Sequence, residues 1–199
     1  MSSLRFLDLL STFVFALVGA RVAADKRLDY GGILFIAAIA SLAGGTLRNV
    51  FLGLLPIWIN DLWIIVSVLS AVLLTLVFRR VTHISGSLLL LDTLGLAVAT
   101  ISGAKLANDL QLPWFAVIIL GVITAVTGGL LRDILCQLEP TLLHRETIGT
   151  SSAIGAIIFV LCVKFSLSIE LASLIGGAFV ILTRLTSIRF DLHLPKFKD

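Results

Sequence analysis

The stretch ITAVTGGLLRDIL, residues 123–135, places two adjacent glycines, an arginine and an aspartate inside an otherwise apolar run. A similar stretch, IASLAGGTLRNVF, occupies residues 39–51. A glycine costs a helix about 1 kcal/mol relative to alanine, and a charged side chain in hydrocarbon is expensive unless it is paired. Because this unfavourable pattern occurs twice, we expect both stretches to have a specific role.

The composition of the whole chain is that of a membrane protein. Of its 199 residues 58% are hydrophobic and 14% are charged, and the mean hydropathy is +1.11, whereas about a quarter of the residues of a soluble domain are charged. Apolar segments fall at about 6–22, 31–55, 62–78, 87–104, 114–138, 147–163 and 168–188. Each is long enough to cross roughly 30 Å of hydrocarbon as a helix. The sequence therefore predicts an all-α polytopic membrane protein with seven transmembrane helices.

The distribution of lysine and arginine predicts the orientation. The N-terminus and every second loop contain Arg5, Lys105 and Lys164. The opposite side contains Arg21, Lys26, Arg27, Arg79, Arg80, Arg145, Arg184, Arg189, Lys196 and Lys198. The positive-inside rule then places the N-terminus outside and the C-terminus in the cytoplasm, in a multi-pass cell (inner) membrane. Because topology explains the net charge of +3, no nucleic-acid partner is predicted.

The chain repeats itself after a shift of 84 residues. The shift superimposes Asp8 on Asp92, Gly44-Gly45 on Gly128-Gly129, Arg48-Asn49 on Arg132-Asp133, and Pro56 on Pro140. Each repeat, at about 4–80 and 88–164, contains three spans, so the second repeat enters the membrane from the other side. We therefore expect one membrane domain over 1–199, built from two inverted repeats and an extra helix at about 168–188.

Both glycine pairs lie at membrane depth in spans 2 and 5. Adjacent small residues favour a kink, so we predict that these spans are broken at Gly44-Gly45 and Gly128-Gly129 and line a pathway, with Thr46 and Thr127 beside them. The alternative is a small-residue groove for helix packing. A break exposes carbonyls on one side and N–H groups on the other, so backbone arguments leave the sign of the permeant species open.

The charges inside the spans suggest partners. By depth, Asp8 and Arg48 lie in the outer half of the membrane and Asp92 and Arg132 in the inner half. We predict the symmetry-related pairs Asp8–Arg48 and Asp92–Arg132, which leaves Asp133 as a surplus negative charge that favours cations. The alternative is that Asp8 and Asp92 cap their helices at the interface. The span-6 hydroxyls of Thr147, Thr150, Ser151 and Ser152 either line a water path or join helices.

Together, the seven spans, the inverted repeats and the paired GGTLRN and GGLLRD motifs resemble the prokaryotic trimeric intracellular cation (TRIC) channel family, also described as uncharacterised membrane proteins and as glycine transporters. The resemblance implies a homotrimer in membrane lipid, with a pore for monovalent cations, mainly potassium, in each subunit. It assigns the motif to Gly44, Gly45, Arg48, Gly128, Gly129, Arg132 and Asp133. Asn49 departs from the acidic form of the motif. The Lys-Glu-Val stretch that animal members use for phosphoinositides is absent, so that lipid is not implied.

Two other functions compete with a channel. A secondary transporter for a small zwitterion such as glycine would also use inverted repeats and broken helices. An enzyme is not expected, because no histidine lies within a span, Cys136 and Cys162 lack a partner motif, and no His-Glu-x-x-His occurs. The sequence accordingly predicts no cofactor and no structural metal.

Overall fold

A computed structural model describes residues 3–78, 85–139 and 148–190 of the chain. All regular secondary structure in this part of the chain is helical. Its helices are α1 (Ser3–Asp25), α2 (Tyr30–Phe51), α3 (Ile57–Asn60), α4 (Leu62–Val77), α5 (Ser85–Asp109), α6 (Trp114–Leu135), α7 (Ile148–Lys164) and α8 (Ile169–Arg189). The short α3, of four residues, was not predicted.

The helices have the length and surface of membrane spans. Five of those in the described ranges, α1, α2, α5, α6 and α8, are long and apolar enough to cross a membrane, whereas α4 and α7 are shorter, with 16 and 17 residues. Large apolar side chains such as Leu73, Phe165 and Leu174 are exposed, which suits contact with lipid. The chain is therefore a polytopic all-α membrane protein. The largest boundary difference is at α5, which ends at Asp109 rather than near residue 104.

Five of the helices end in the same way. Two residues after each helix, one residue has a positive φ, between 51° and 67°: Arg27, Gly53, Gln111, Gln137 and Ser166. The following N–H then bonds a carbonyl five residues back, as in Leu28 to Ala23 at 3.2 Å and Leu112 to Ala107 at 3.1 Å. This bond satisfies carbonyls that a helix end would otherwise leave unpaired.

The helix contacts of α1, α2 and α4 recur among α5, α6 and α7. Within the first set α1 packs against α2 and α4, and within the second α5 packs against α6 and α7. The two sets meet where α1 contacts α5 and where α2 crosses α6, while α8 packs against α5 and α7. Many of the residues in these contacts are small, including the fully buried Ala16, Ala20, Ala37 and Ala104. Small residues let helix backbones approach closely, which is how helices associate in lipid.

The predicted breaks at the glycine pairs do not occur. Both α2 and α6 continue as α-helices through Gly44-Gly45 and Gly128-Gly129. A Cβ on Gly44 would overlap the carbonyl oxygen of Thr124, and a Cβ on Gly128 would overlap that of Ala40. The first glycine of each pair therefore permits a close crossing of α2 and α6. The packing alternative is correct for these two residues, since close approach needs only the missing Cβ and leaves the helical hydrogen bonds intact.

The crossing is reciprocal. Thr124 and Ala40, the residues that face the two glycines, are themselves 84 residues apart, as Gly44 and Gly128 are.

Several residues on which the sequence predictions depend lie outside the described residues: Pro140, Thr147, Arg79, Arg80, Arg145, Lys196 and Lys198.

Candidate functional site

The first charge cluster consists of Asp8, Arg48, Asn49 and Ser102. Arg48 is completely buried, and its Nη1 lies 3.1 Å from Asp8 Oδ1 and 2.8 Å from Ser102 Oγ. The Ser102 hydroxyl donates in turn to the Asp8 carboxylate. Asp8 and Arg48 are thus held together as the sequence pairs them. Ser102 lies on α5, so its hydroxyl ties the second set of helices to an ion pair of the first.

Asn49 uses both ends of its amide. Its Oδ1 accepts from Arg48 Nε at 3.0 Å, and its Nδ2 donates to the Leu55 carbonyl at 2.8 Å. An aspartate at this position has no donor when ionised and would place its charge against the Leu55 carbonyl. The amide therefore explains why the motif is not acidic here: it holds Arg48 and fastens the turn that leads to α3.

The second charge cluster consists of Asp92, Arg132 and Asp133. The Arg132 Nη1 lies 2.8 Å from Asp92 Oδ1, while its Nε and Nη2 both lie 2.9 Å from Asp133 Oδ1. Arg132 and Asp133 are buried, with 6% and 2% of their surfaces exposed. One guanidinium is shared by two carboxylates here, so these three side chains carry a net charge of −1. Asp8 and Arg48 of the first cluster carry none.

The first cavity, of about 30 Å³, lies beside the first cluster where α2 crosses α6. Asp8, Ser41, Gly45 and Thr46 line it. A Cβ on Gly45 would meet no atom within 4 Å. Gly45 therefore faces open space, whereas its neighbour Gly44 faces the Thr124 backbone.

Three of the hydroxyls that line the first cavity donate their protons to the backbone. Ser41 Oγ donates to the Ala37 carbonyl at 2.7 Å, Thr124 Oγ1 to Leu120 at 2.6 Å, and Ser11 Oγ to Asp8 at 3.1 Å. Each hydroxyl has one proton and two lone pairs. The oxygens of these three hydroxyls therefore present lone pairs to the cavity, which suit a cation and not an anion.

Helix α3 lies over the first cavity. Its residues Ile57 and Trp58 line the cavity, and Trp58 Nε1 donates to Thr46 Oγ1 at 3.1 Å. Asp61, just after α3, accepts from Arg5 Nε at 2.6 Å and from Nη2 at 2.9 Å. The hydrogen bonds from Arg5 lower the pKa of the Asp61 carboxyl. The ion pair therefore persists at pH values below the usual carboxyl range and fastens α3 to the start of α1.

The second cavity, of about 10 Å³, lies beside the second cluster. Asp92, Gly129, Leu130 and Arg132 are among the residues that line it. The nearest atom to a Cβ on Gly129 would be Arg132 Nη2 at 3.9 Å. In both pairs, then, the first glycine makes a helix contact and the second faces a cavity.

Two other predicted hydroxyls bond within or between helices. Thr127 Oγ1 donates to the Ile123 carbonyl of its own helix at 2.6 Å and lines neither cavity. Ser152, on α7, is within 2.8 Å of Thr100 Oγ1 on α5, and both are fully buried. At Ser152 the hydroxyl joins helices, which is one of the two roles expected for this group.

Three features of the structure do not follow from the sequence patterns. Ser102 was not singled out, because one serine in an apolar span carries no pattern. Arg184 was counted with the cytoplasmic loops, but it lies in α8 with 1% of its surface exposed. Lys105, which was counted on the outer side of the membrane, is also mostly buried, and its Nζ lies 3.0 Å from Asp109 Oδ2. The residue 84 positions earlier, Arg21, has its Nε 3.3 Å from Asp25 Oδ1.

Among the described residues, no three His, Cys, Asp or Glu side chains are grouped to hold a metal.

Comparison with known proteins gives the family. A family model described as "Glycine transporter" matches residues 5–80 and again 89–164. The inner membrane protein YadS of Escherichia coli K12, assigned to the UPF0126 group, is 33% identical over 196 residues, covering 96% of this chain and 95% of that protein. The alignment with YadS and the two matches to the family model therefore each cover most of the chain.

Two solved structures have the same fold. The TRIC trimeric intracellular cation channel orthologue from Rhodobacter sphaeroides superposes with a TM-score of 0.90 and 31% identity, covering 96% of this chain and 100% of that one. A second solved structure, reported under the description "Structural basis for conductance through TRIC cation channels", superposes with a TM-score of 0.87 and 31% identity. The match covers 100% of this chain and 98% of that one.

Proposed function

Since the chain belongs to the prokaryotic TRIC channel family, whose family model is described as "Glycine transporter", we propose that it is a channel for monovalent cations and prefers potassium. The observation that carries the proposal is the first cavity, which is lined by Asp8 and by the hydroxyl residues Ser41 and Thr124, whose oxygens have donated their protons and keep lone pairs. A conduction pathway needs such oxygens to replace part of the water around an ion. Catalysis is not part of the proposed function.

The pathway runs through each subunit of a homotrimer. Both cavities lie among the helices of one subunit, the first where α2 crosses α6, which supports a pathway within each subunit. The trimer is proposed from the structural relative from R. sphaeroides, which is described as trimeric. The protein is proposed to be located in the bacterial inner membrane, because its relative YadS is described as an inner membrane protein.

The architecture is proposed to be seven spans: two inverted repeats of three spans each, and α8 as the seventh. Support comes from the family model, which matches twice with starting points 84 residues apart, and from the reciprocal crossing of α2 and α6. The positive-inside rule places the N-terminus outside and the C-terminus in the cytoplasm. In this orientation the first cavity lies on the outer side and the second on the inner side.

A transporter for a small zwitterion such as glycine is the alternative, favoured by the name of the family model. A zwitterion needs donors for its carboxylate as well as acceptors for its ammonium, and three of the hydroxyls around the first cavity, those of Ser11, Ser41 and Thr124, have used their protons on the backbone. Purified protein in liposomes is expected to release trapped potassium passively and to leave labelled glycine unaccumulated. Accumulation of glycine against a gradient, without passive potassium release, would replace the channel with a carrier.

Filling the first cavity is expected to stop cation flux. Gly45→Leu places a side chain in the cavity without touching the α2–α6 crossing, because no atom lies within 4 Å of a Cβ at this position. The matched control is Gly31→Leu, in the same helix but at its exposed beginning. We expect Gly45→Leu to elute as folded protein in gel filtration and to lose potassium flux, and Gly31→Leu to retain it. Normal flux through folded Gly45→Leu would place the pathway elsewhere.

The extra carboxylate of the second cluster is expected to attract cations. Asp133→Asn keeps the size of the side chain and removes the net charge of −1 from the cluster, so the preference for potassium over chloride should fall. Reversal potentials in a potassium chloride gradient measure this preference. The control is Asp25→Asn, which removes a carboxylate in an exposed position at the end of α1. An equal loss of selectivity in both variants would show that Asp133 acts only through overall charge.

A further inference from the structure

The two cavities occupy corresponding positions in the two halves of the chain. Shifting the first cavity by 84 residues places Asp8 on Asp92, Gly45 on Gly129 and Ile64 on Ile148, and all six residues line their respective cavities. The two cavities are therefore two versions of one site, and differences between them reflect the residues at matched positions.

At three matched positions, the side chains that line the two cavities differ in polarity. The first cavity has hydroxyls at Thr12, Ser41 and Thr46. The second has Leu96, Ala125 and Leu130 at the corresponding positions. Its volume is also smaller, about 10 Å³ against about 30 Å³. Every hydroxyl of these three pairs lies on the first side and every aliphatic side chain on the second.

The lining determines whether water stays in each cavity. Buried water needs two to four polar partners and enough room, and small apolar cavities remain dry. The charged groups that line the second cavity, Asp92 and Arg132, lie 2.8 Å apart, and Arg132 is held at the same time by Asp133 at 2.9 Å, so these side chains are already bonded to one another. An ion crossing this cavity would lose its water and gain no polar partner from the aliphatic side chains of Leu96, Ala125 and Leu130, which is how a hydrophobic constriction stops conduction.

We infer that the second cavity is a hydrophobic gate formed by Leu96 and Leu130, and that the first cavity is a hydrated resting site for a monovalent cation. The inference rests on the proposed channel function. It assigns different tasks to the matched halves: oxygen lone pairs hold the ion on one side, and aliphatic side chains close the passage on the other. The gate opens when water enters the second cavity.

The test exchanges matched residues between the halves. Leu130→Thr introduces at the gate the residue that the first cavity has at position 46, and Leu130→Val provides a side chain of the same shape without the hydroxyl. We expect Leu130→Thr to raise passive potassium flux about fivefold, since one added polar partner is worth about 1 kcal/mol, and Leu130→Val to raise it much less. The reciprocal change, Thr46→Leu, should lower the flux.

The outcomes separate the gate from the channel. If wild-type protein conducts and Leu130→Thr does not exceed Leu130→Val, the passage is closed by size or elsewhere, and the gate is wrong. If neither wild-type protein nor any folded variant passes potassium, the proposed channel function itself fails. Leu96→Thr with Leu96→Val repeats the comparison at the second gate residue, so the test does not depend on the folding of one variant. Gel filtration establishes folding in each case.

Discussion

Replacing Gly44 with alanine is expected to destabilise the protein by about 3 kcal/mol, because the new methyl group would overlap the carbonyl oxygen of Thr124. That oxygen belongs to the backbone of α6 and cannot move away as a flexible side chain would. The helices α2 and α6 must separate, which disturbs both cavities at once. Gly128→Ala should behave in the same way, because it meets the carbonyl oxygen of Ala40. Thermal unfolding in detergent, followed by tryptophan fluorescence, measures the loss.

The adjacent glycine is the matched control. Gly45→Ala adds the same methyl group one residue further along the helix, where it meets no atom within 4 Å. Alanine favours a helix over glycine by about 1 kcal/mol, so this variant should be as stable as wild-type protein or more so. Equal destabilisation by Gly44→Ala and Gly45→Ala would mean that the glycines are needed for backbone flexibility and not for the close crossing.

Removing the guanidinium of Arg132 is expected to be the most damaging change at the charge clusters. Arg132→Gln leaves Asp92 and Asp133 without the guanidinium that they share. Breaking a buried pair on one side costs about 3–5 kcal/mol, because a buried charge is left uncompensated. Arg48→Gln should cost less than Arg132→Gln, since only Asp8 loses a charged partner and Ser102 still donates to it. The same unfolding assay ranks the two variants.

A neutral double variant tests the reason for this cost. In Asp8→Asn with Arg48→Gln, both charges of the first cluster are removed and amide groups remain to form hydrogen bonds. We expect the double variant to recover most of the stability that Arg48→Gln loses, as replacement of a whole buried pair is often nearly neutral. A double variant as unstable as the sum of its single changes would show that Asp8 and Arg48 act independently.

Long-range regularity made much of the fold predictable from the sequence. Apolar segments predicted the helices to within a few residues, because the length of a membrane span is set by the bilayer. Depth in the membrane paired Asp8 with Arg48, the 84-residue shift gave the matching pair Asp92 with Arg132, and the structure brings these side chains within 3.1 Å and 2.8 Å. Charges in an apolar run are rare, so their partners are few.

The features that were missed depend on what lies across a helix contact. The sequence shows that Gly44 weakens a helix, but it does not show that the carbonyl of Thr124 occupies the space of its Cβ. Likewise, Ser102 becomes important only because α5 brings it to Arg48. Arg184 was placed in a loop because it lies near the end of an apolar run, and only the packing of α8 shows it to be buried. Each case requires a neighbour distant in the sequence.

Single-channel recording tests the central claim, that the chain conducts cations, most directly. Purified protein would be incorporated into planar bilayers separated by a potassium chloride gradient, with glycine added afterwards. We predict discrete unitary currents that reverse near the potassium equilibrium potential and are unchanged by glycine. Reversal near the chloride equilibrium potential, or bilayers that stay silent while liposomes containing the same protein accumulate labelled glycine, would contradict the claim.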